Sequence, residues 1–64
     1  IGGEDEREVA RTWAHKRYEH VKHLAWPRIE RRIGSFLARR GFSHELTMSV
    51  LRELREHHAK DEAL

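Results

Sequence analysis

The sequence predicts an all-α fold, a small three-helix bundle, and three observations lead to that prediction. Only one Pro and four Gly occur among 64 residues, so residues that interrupt helices are scarce. Apolar residues recur three, four and seven positions apart, which is typical of one helix face, and the alternation expected of a strand is absent. A chain of this length forms one small domain of marginal stability.

The first helix is predicted from Asp5 to about His23. Asp5 is a suitable N-cap residue, and acidic residues around it favour a helix N-terminus. Tyr18 is expected to cover the edge of the core, and Arg17 interrupts the apolar face. That face comprises Val9, Ala10, Trp13, Ala14, Val21 and Leu24. Residues 1–4 are predicted to be a disordered tail.

The second helix is predicted over residues 27–40. Pro27 suits the first helical position, where its missing N–H costs nothing, and it disfavours helical conformation at Trp26. Trp26 is therefore expected in the connection, as a staple between the first two helices. Gly34 needs no packing role, although it could allow a close helix approach. The inward residues are Ile29, Ile33, Phe36 and Leu37.

The connection to the third helix has a recognisable sequence. Gly41 follows two arginines and is predicted to end the helix in the left-handed conformation. Phe42 is expected to pack as a hydrophobic clasp, and Ser43 to cap the next helix. That helix is predicted over residues 44–58, with residues 59–64 a frayed tail. Its inward residues are Leu46, Val50, Leu51 and Leu54, with Thr47 and Met48 outside this set.

Positive charge is concentrated in the middle of the chain. Ten Lys or Arg against three Glu occur between Arg7 and Arg40, an excess of seven, although the whole chain has a net charge of +2. On the second helix, steps of three or four place a basic ridge opposite the apolar face. This ridge is a candidate contact surface for phosphates or an acidic protein. Its candidate binding residues are Arg28, Arg31, Arg32 and Arg39.

The sequence offers no arrangement typical of catalysis or of a cofactor site. Six His residues occur, and His20 with His23 could share a helix face with Glu19, but the other ligands of a zinc site are not evident. No nucleophile beside a base, no paired carboxylates and no phosphate-binding Gly loop are present. We therefore expect a protein that is not an enzyme and that needs no metal, cofactor or small-molecule substrate.

The absence of Cys excludes a disulfide framework, and apolar runs are too short for a membrane span. Both features favour a soluble, cytoplasmic protein without a membrane partner. The first residue is Ile1, which suggests a piece of a longer protein.

Residues 28–54, RIERRIGSFLARRGFSHELTMSVLREL, resemble the recurring unit of the RecX family of bacterial regulatory proteins. The unit has a helix ending in a Phe-Leu-x-x-Arg-Gly-Phe turn, followed by a helix ending in a Leu-x-x-Leu pattern. The matching positions are Phe36, Leu37, Arg40, Gly41, Phe42, Ser43, Val50, Leu51 and Leu54.

This resemblance implies one three-helix repeat of a tandem array, expected to come from the C-terminal part of the full protein. It also implies a non-enzymatic regulator in DNA repair, recombination and the SOS response. The expected partner is the filament of RecA on single-stranded DNA, whose ATPase, strand-exchange and coprotease activities the protein would inhibit. Gly41, Phe42 and Ser43 correspond to structural turn residues, and direct DNA binding is expected to be weak.

Two other classes remain open. In a helix-turn-helix DNA-binding domain, residues 44–58 would be the recognition helix, although acidic residues on that helix disfavour phosphate contact. A helical bundle for protein interaction or self-association, without a role on nucleic acid, is the second alternative.

Overall fold

The computed structural model describes residues 3–63, with the side chains of residues 6–62. Three helices follow one another along the chain: α1 (Gly3–Val21), α2 (Trp26–Arg39) and α3 (His44–Ala63). Each helix packs against the other two. The predicted all-α three-helix bundle is confirmed.

The core lies where the inward faces of the three helices meet. The α2 residues Ile29, Ile33 and Leu37 are fully buried and stand four positions apart, as one helix face requires. Half-buried side chains, among them Trp13, Phe36 and Phe42, pack around this centre. The buried apolar residues are Ala10, Ala14, Tyr18, Val21, Ile29, Ile33, Leu37, Val50, Leu51 and Leu54.

Three side chains occupy positions that differ from the predicted ones. Tyr18 is only 1% exposed and belongs to the core, because it continues the four-residue spacing of Ala10 and Ala14. Val9 is 46% exposed, since this phase of α1 turns it away from the core. Thr47 is buried, one helical turn before Leu51.

Helix α1 begins and ends earlier than predicted. It begins at Gly3 rather than near Asp5, which places acidic residues in the first turn, where the helix dipole favours negative charge. Residues 3 and 4 of the predicted tail are therefore helical, while residues 1 and 2 lie outside the described part. The helix ends at Val21, whose carbonyl accepts a turn hydrogen bond from the Leu24 amide at 2.9 Å.

Helix α2 begins one residue before the predicted position, at Trp26. Ala25 is the N-cap residue, with extended backbone (φ −68°, ψ 150°), and its carbonyl accepts bonds from the amides of Arg28 and Ile29. Pro27 is consequently the second helical residue. A proline costs nothing there either, because the amides of the first turn have no partner within the helix.

The turn between α2 and α3 confirms the predicted role of Gly41. Its φ of +93° lies in the left-handed region, the only positive φ among the described residues. The Gly41 amide donates to the Ala38 carbonyl at 3.0 Å, and the Phe42 amide donates to the Leu37 carbonyl at 3.3 Å. These two bonds define a Schellman motif, which satisfies carbonyls that the helix end leaves free.

Ser43 caps α3, as predicted. Its Oγ accepts a hydrogen bond from the Leu46 amide at 3.1 Å, and its carbonyl accepts one from the Thr47 amide at 2.9 Å. Phe42 is half-buried against the core between the two motifs. Two short local motifs thus fix both the end of α2 and the beginning of α3.

A buried polar cluster ties the C-terminal turns of α3 to α1. The Tyr18 hydroxyl donates to Asp61 Oδ2 at 2.9 Å and lies 2.9 Å from His58 Nδ1. Because the hydroxyl proton goes to the carboxylate, the imidazole Nδ1–H donates to the tyrosine oxygen. Residues 59–63, predicted to be a frayed tail, are therefore helical and anchored through Asp61, while Leu64 lies outside the described residues.

Trp26 packs differently from the predicted staple between α1 and α2. It is the first residue of α2, and its ring lies 5.8 Å from the imidazole of His58 on α3, tilted by 33°. The imidazole in turn meets the Tyr18 ring edge-on at 5.8 Å. Trp26 therefore covers the cluster that joins α1 to α3.

The two interior glycines should respond in opposite ways to the same substitution. At Gly41 an added Cβ meets no atom within 4 Å, so the strain of Gly41→Ala comes from the positive φ alone. We expect a loss of about 1–2 kcal/mol in unfolding free energy.

At Gly34 the Cβ would lie 3.6 Å from Leu51 Cδ1, an ordinary contact, so Gly34→Ala should gain about 0.5–1 kcal/mol. Urea unfolding followed by circular dichroism measures both, and a destabilising Gly34→Ala would contradict this account.

Tyr18 should make stability depend on alkaline pH. Burial, followed by the hydrogen bond and charge of Asp61, raises the pKa of Tyr18 from 10.0 to about 12. Above pH 10 the folded state therefore keeps a proton that the unfolded chain loses. The contribution of Tyr18 to the unfolding free energy is complete below pH 10 and is lost as the pH rises towards 12.

Because Tyr18 is the one tyrosine of the chain, tyrosinate absorbance during a pH titration reports its pKa directly. Tyr18→Phe should lower the unfolding free energy at neutral pH by about 1–3 kcal/mol, because it leaves the buried His58 Nδ1 unpaired. The same variant should lack the loss of stability between pH 10 and 12. An ordinary tyrosine titration in the folded protein would refute the proposed cluster.

Candidate partner-binding surface

The four arginines predicted as a contact surface all lie exposed on α2. The helix turns Ile29, Ile33 and Leu37 into the core, which leaves the arginines on the opposite side. Three of the four line one cavity of about 280 Å³ at the seam between α1 and α2. Its lining residues are Arg17, Arg31, Arg32, Ser35, Phe36 and Arg39. Arg28, the fourth predicted residue, is exposed outside this set.

A second cavity of about 260 Å³ continues the first along the same seam. It is lined by Trp13, Lys16, Arg17, His20, Phe36 and Arg40. Arg17 and Phe36 belong to both cavities, so the two form one surface, which we call the basic groove. The lining residues of the basic groove include six cations and no carboxylate.

Helix α1 supplies four of the ten lining residues of the basic groove, and sequence reasoning did not assign them to a binding surface. Arg17 interrupts the apolar face of α1 one turn after Trp13, which was the available signal. A cation at that position is exposed and lies beside the neighbouring helix. The guanidinium carbon of Arg40 lies 5.3 Å from the Phe36 ring centroid.

The floor of the groove is an aromatic pair held under guanidinium groups. The rings of Trp13 and Phe36 meet edge to face, with centroids 6.0 Å apart. The guanidinium carbon of Arg40 lies 3.8 Å from the Trp13 centroid, and that of Arg17 lies 5.2 Å from the Phe36 centroid. Such stacking is favourable by about 0.5–1 kcal/mol at exposed sites, and it orients the N–H groups outwards along the ring plane.

Three cations outside the groove form ion pairs with neighbouring carboxylates. Arg7 and Arg11 of α1 both bind the carboxylate of Glu53 on α3, and Arg7 also donates to Ser49 Oγ at 2.7 Å. Lys22 binds Glu19 at 3.0 Å. Among the side chains of residues 6–62, no ion pair involves a cation of the basic groove. The groove therefore presents charge that the described part of the fold leaves available.

His20, in the last turn of α1, and His23, just after that helix, lie in no described group of metal-binding side chains. His20 and His23 are exposed, and Glu19 is engaged by Lys22. Within the described side chains, no three His, Asp or Glu residues are placed to hold a metal ion. No helix in residues 3–63 is both long and apolar enough to span a membrane.

The cluster of Tyr18, His58 and Asp61 combines residue types that occur in active sites, but its geometry serves stability. Tyr18 is almost fully buried, and its raised pKa means that the hydroxyl retains its proton. A nucleophile or base needs the opposite shift and access to a substrate. The cluster therefore acts as a structural bridge between α1 and α3.

Comparison with known proteins gives one match. The family model described as "RecX, third three-helix domain" matches residues 4–51, which include every residue of the basic groove and the Gly41 turn. No curated protein and no solved structure gave a match. Since the matched segment covers most of the chain, and the fold has the three helices that the description names, the chain belongs to the RecX family of regulatory proteins.

Proposed function

We propose that this chain is a non-catalytic regulatory domain that binds the RecA filament on single-stranded DNA through its basic groove. The observation that carries the proposal is the groove itself, six cations around an aromatic pair with no carboxylate in the lining. Membership of the RecX family supports RecA as the partner protein. Arg31, Arg32 and Arg39 are the proposed central contacts, and Arg28 is a peripheral one.

Binding at this groove would inhibit RecA by selecting one state of the filament. A bound protein shifts an equilibrium only by the difference between its affinities for the two states. A domain that binds tighter to an inactive arrangement lowers ATP hydrolysis, strand exchange and coprotease activity together. This mechanism requires no catalytic group in the chain.

The filament supplies negative charge from both DNA phosphates and protein carboxylates, and both attract the groove. We propose that affinity for bare DNA is weak. Arg17 lies over one face of Phe36 and Arg40 over one face of Trp13, and each guanidinium competes with a base for that face. The domain is proposed to work in the cytoplasm, where RecA and its DNA are found.

Charge reversal at three groove residues should weaken filament binding. We expect Arg31→Glu, Arg32→Glu and Arg39→Glu together to lower affinity by about tenfold or more, because each change replaces an attraction by a repulsion. Fluorescence anisotropy with RecA assembled on labelled single-stranded DNA and ATP gives the affinity. ATP hydrolysis in the same samples gives the inhibition, and circular dichroism verifies that helicity is unchanged.

A matched control carries the same change of charge on α3. It combines Arg52→Glu, Arg55→Glu and Lys60→Glu. All three positions lie outside the segment that matches the family model. We expect this control to stay within about twofold of the parent affinity, and Arg28→Glu alone to have an effect smaller than the groove variant. Equal losses in both triple variants would reject the groove as the contact. Tight, sequence-selective binding to duplex DNA without RecA would favour the helix-turn-helix alternative.

A further inference from the structure

Two features of the basic groove point to the chemistry of its ligand. The first is the pair of guanidinium groups that lie over the aromatic floor, Arg40 over Trp13 at 3.8 Å and Arg17 over Phe36 at 5.2 Å. The second is the floor itself, two half-buried rings that meet edge to face. An occupant must satisfy both the charge and this apolar strip.

A stacked guanidinium is prepared for one type of partner. Stacking on a ring holds the plane of the guanidinium in place, so its in-plane N–H donors point outwards, where a carboxylate or phosphate accepts two parallel hydrogen bonds. Little side-chain entropy remains to be lost when such a group binds, because its orientation is already set. Arg17 and Arg40 therefore differ from the freely extended arginines of the α2 ridge.

The aromatic floor distinguishes a peptide from a nucleic acid. A single strand gains much of its affinity by stacking bases on open ring faces, and here a guanidinium occupies one face of each ring. The ring surface that remains partly exposed instead suits an aliphatic side chain. The cavity over Trp13 and Phe36, about 260 Å³, has room for a side chain or two and is lined by three cations around those rings.

We propose that the cavity over Trp13 and Phe36 binds an acidic segment of a partner protein, with carboxylates on Arg17 and Arg40 and an apolar side chain against the two rings. Lys16 adds a third positive charge beside the same ring, 5.5 Å from the Trp13 centroid. This inference rests on the proposed function, because it assigns the filament contact at this end of the groove to protein carboxylates instead of DNA phosphates.

The test compares two probes of equal net charge, without RecA. One is a fluorescein-labelled peptide of alternating Glu and Leu residues, and the other is a fluorescein-labelled oligothymidylate. We expect the peptide to bind more tightly. Arg17→Gln with Arg40→Gln should weaken peptide binding by about tenfold or more, because two charge-assisted bidentate contacts are removed.

Two further variants separate geometry from charge. Arg40→Lys keeps the charge but cannot form the bidentate contact, so it should lose part of the peptide affinity. Arg52→Gln with Arg55→Gln removes the same charge on α3 and should leave peptide binding unchanged. Circular dichroism establishes that each variant keeps its helices.

The proposal fails if the oligothymidylate binds more tightly than the peptide and loses affinity in the Arg17 and Arg40 variant, which would assign the groove to phosphates. It also fails if that variant binds the peptide as well as the parent does, or if the α3 control loses as much. Since RecA is absent from this titration, a failure to bind the RecA filament would reject the proposed function without changing this result.

Discussion

The left-handed conformation of Gly41 is the constraint on which the arrangement of the helices depends. With φ at +93°, the chain leaves α2 sharply enough for the Phe42 amide to reach back to the Leu37 carbonyl. Leu37 thus takes part in the turn through its backbone and in the core through its buried side chain. Ser43 then begins α3 at once through its own cap, so that Val50, Leu51 and Leu54 meet the inward face of α2. A residue with a side chain at position 41 would work against each of these contacts.

The fold separates its charges into two groups with different uses. Between α1 and α3, arginines are matched with Glu53 and help hold the helices together. Between α1 and α2, the arginines are not matched by carboxylates of the described residues, and their stems and planes cover aromatic rings. A small domain gains little stability from such exposed cations. Their concentration on one seam is therefore better explained by a partner than by folding.

Local sequence signals predicted those parts of the structure that depend on local physics. The Gly41 turn, the Ser43 cap and the buried phase of α2 follow from backbone conformation and helix periodicity, and all three were predictable. The helical residues 59–63 were not, because their anchor is Tyr18, more than forty residues earlier. The exposed arginines of α2 could be predicted from helix periodicity. The contribution of Arg17 could not, because it depends on which helix packs beside α1.

Arg40 belongs both to the end of α2 and to the basic groove. Binding at the groove would therefore be coupled to folding. Arg40 is the C-cap residue of α2, and its guanidinium is also a wall of the basic groove. Any occupant that fixes Arg40 therefore also fixes the end of α2, and by mass action it favours the folded chain over the unfolded one. At a free concentration one hundred times the dissociation constant, this linkage is worth about 2.7 kcal/mol. For a chain of 64 residues that is a substantial share of the total, so a bound occupant would raise the folded fraction of the domain.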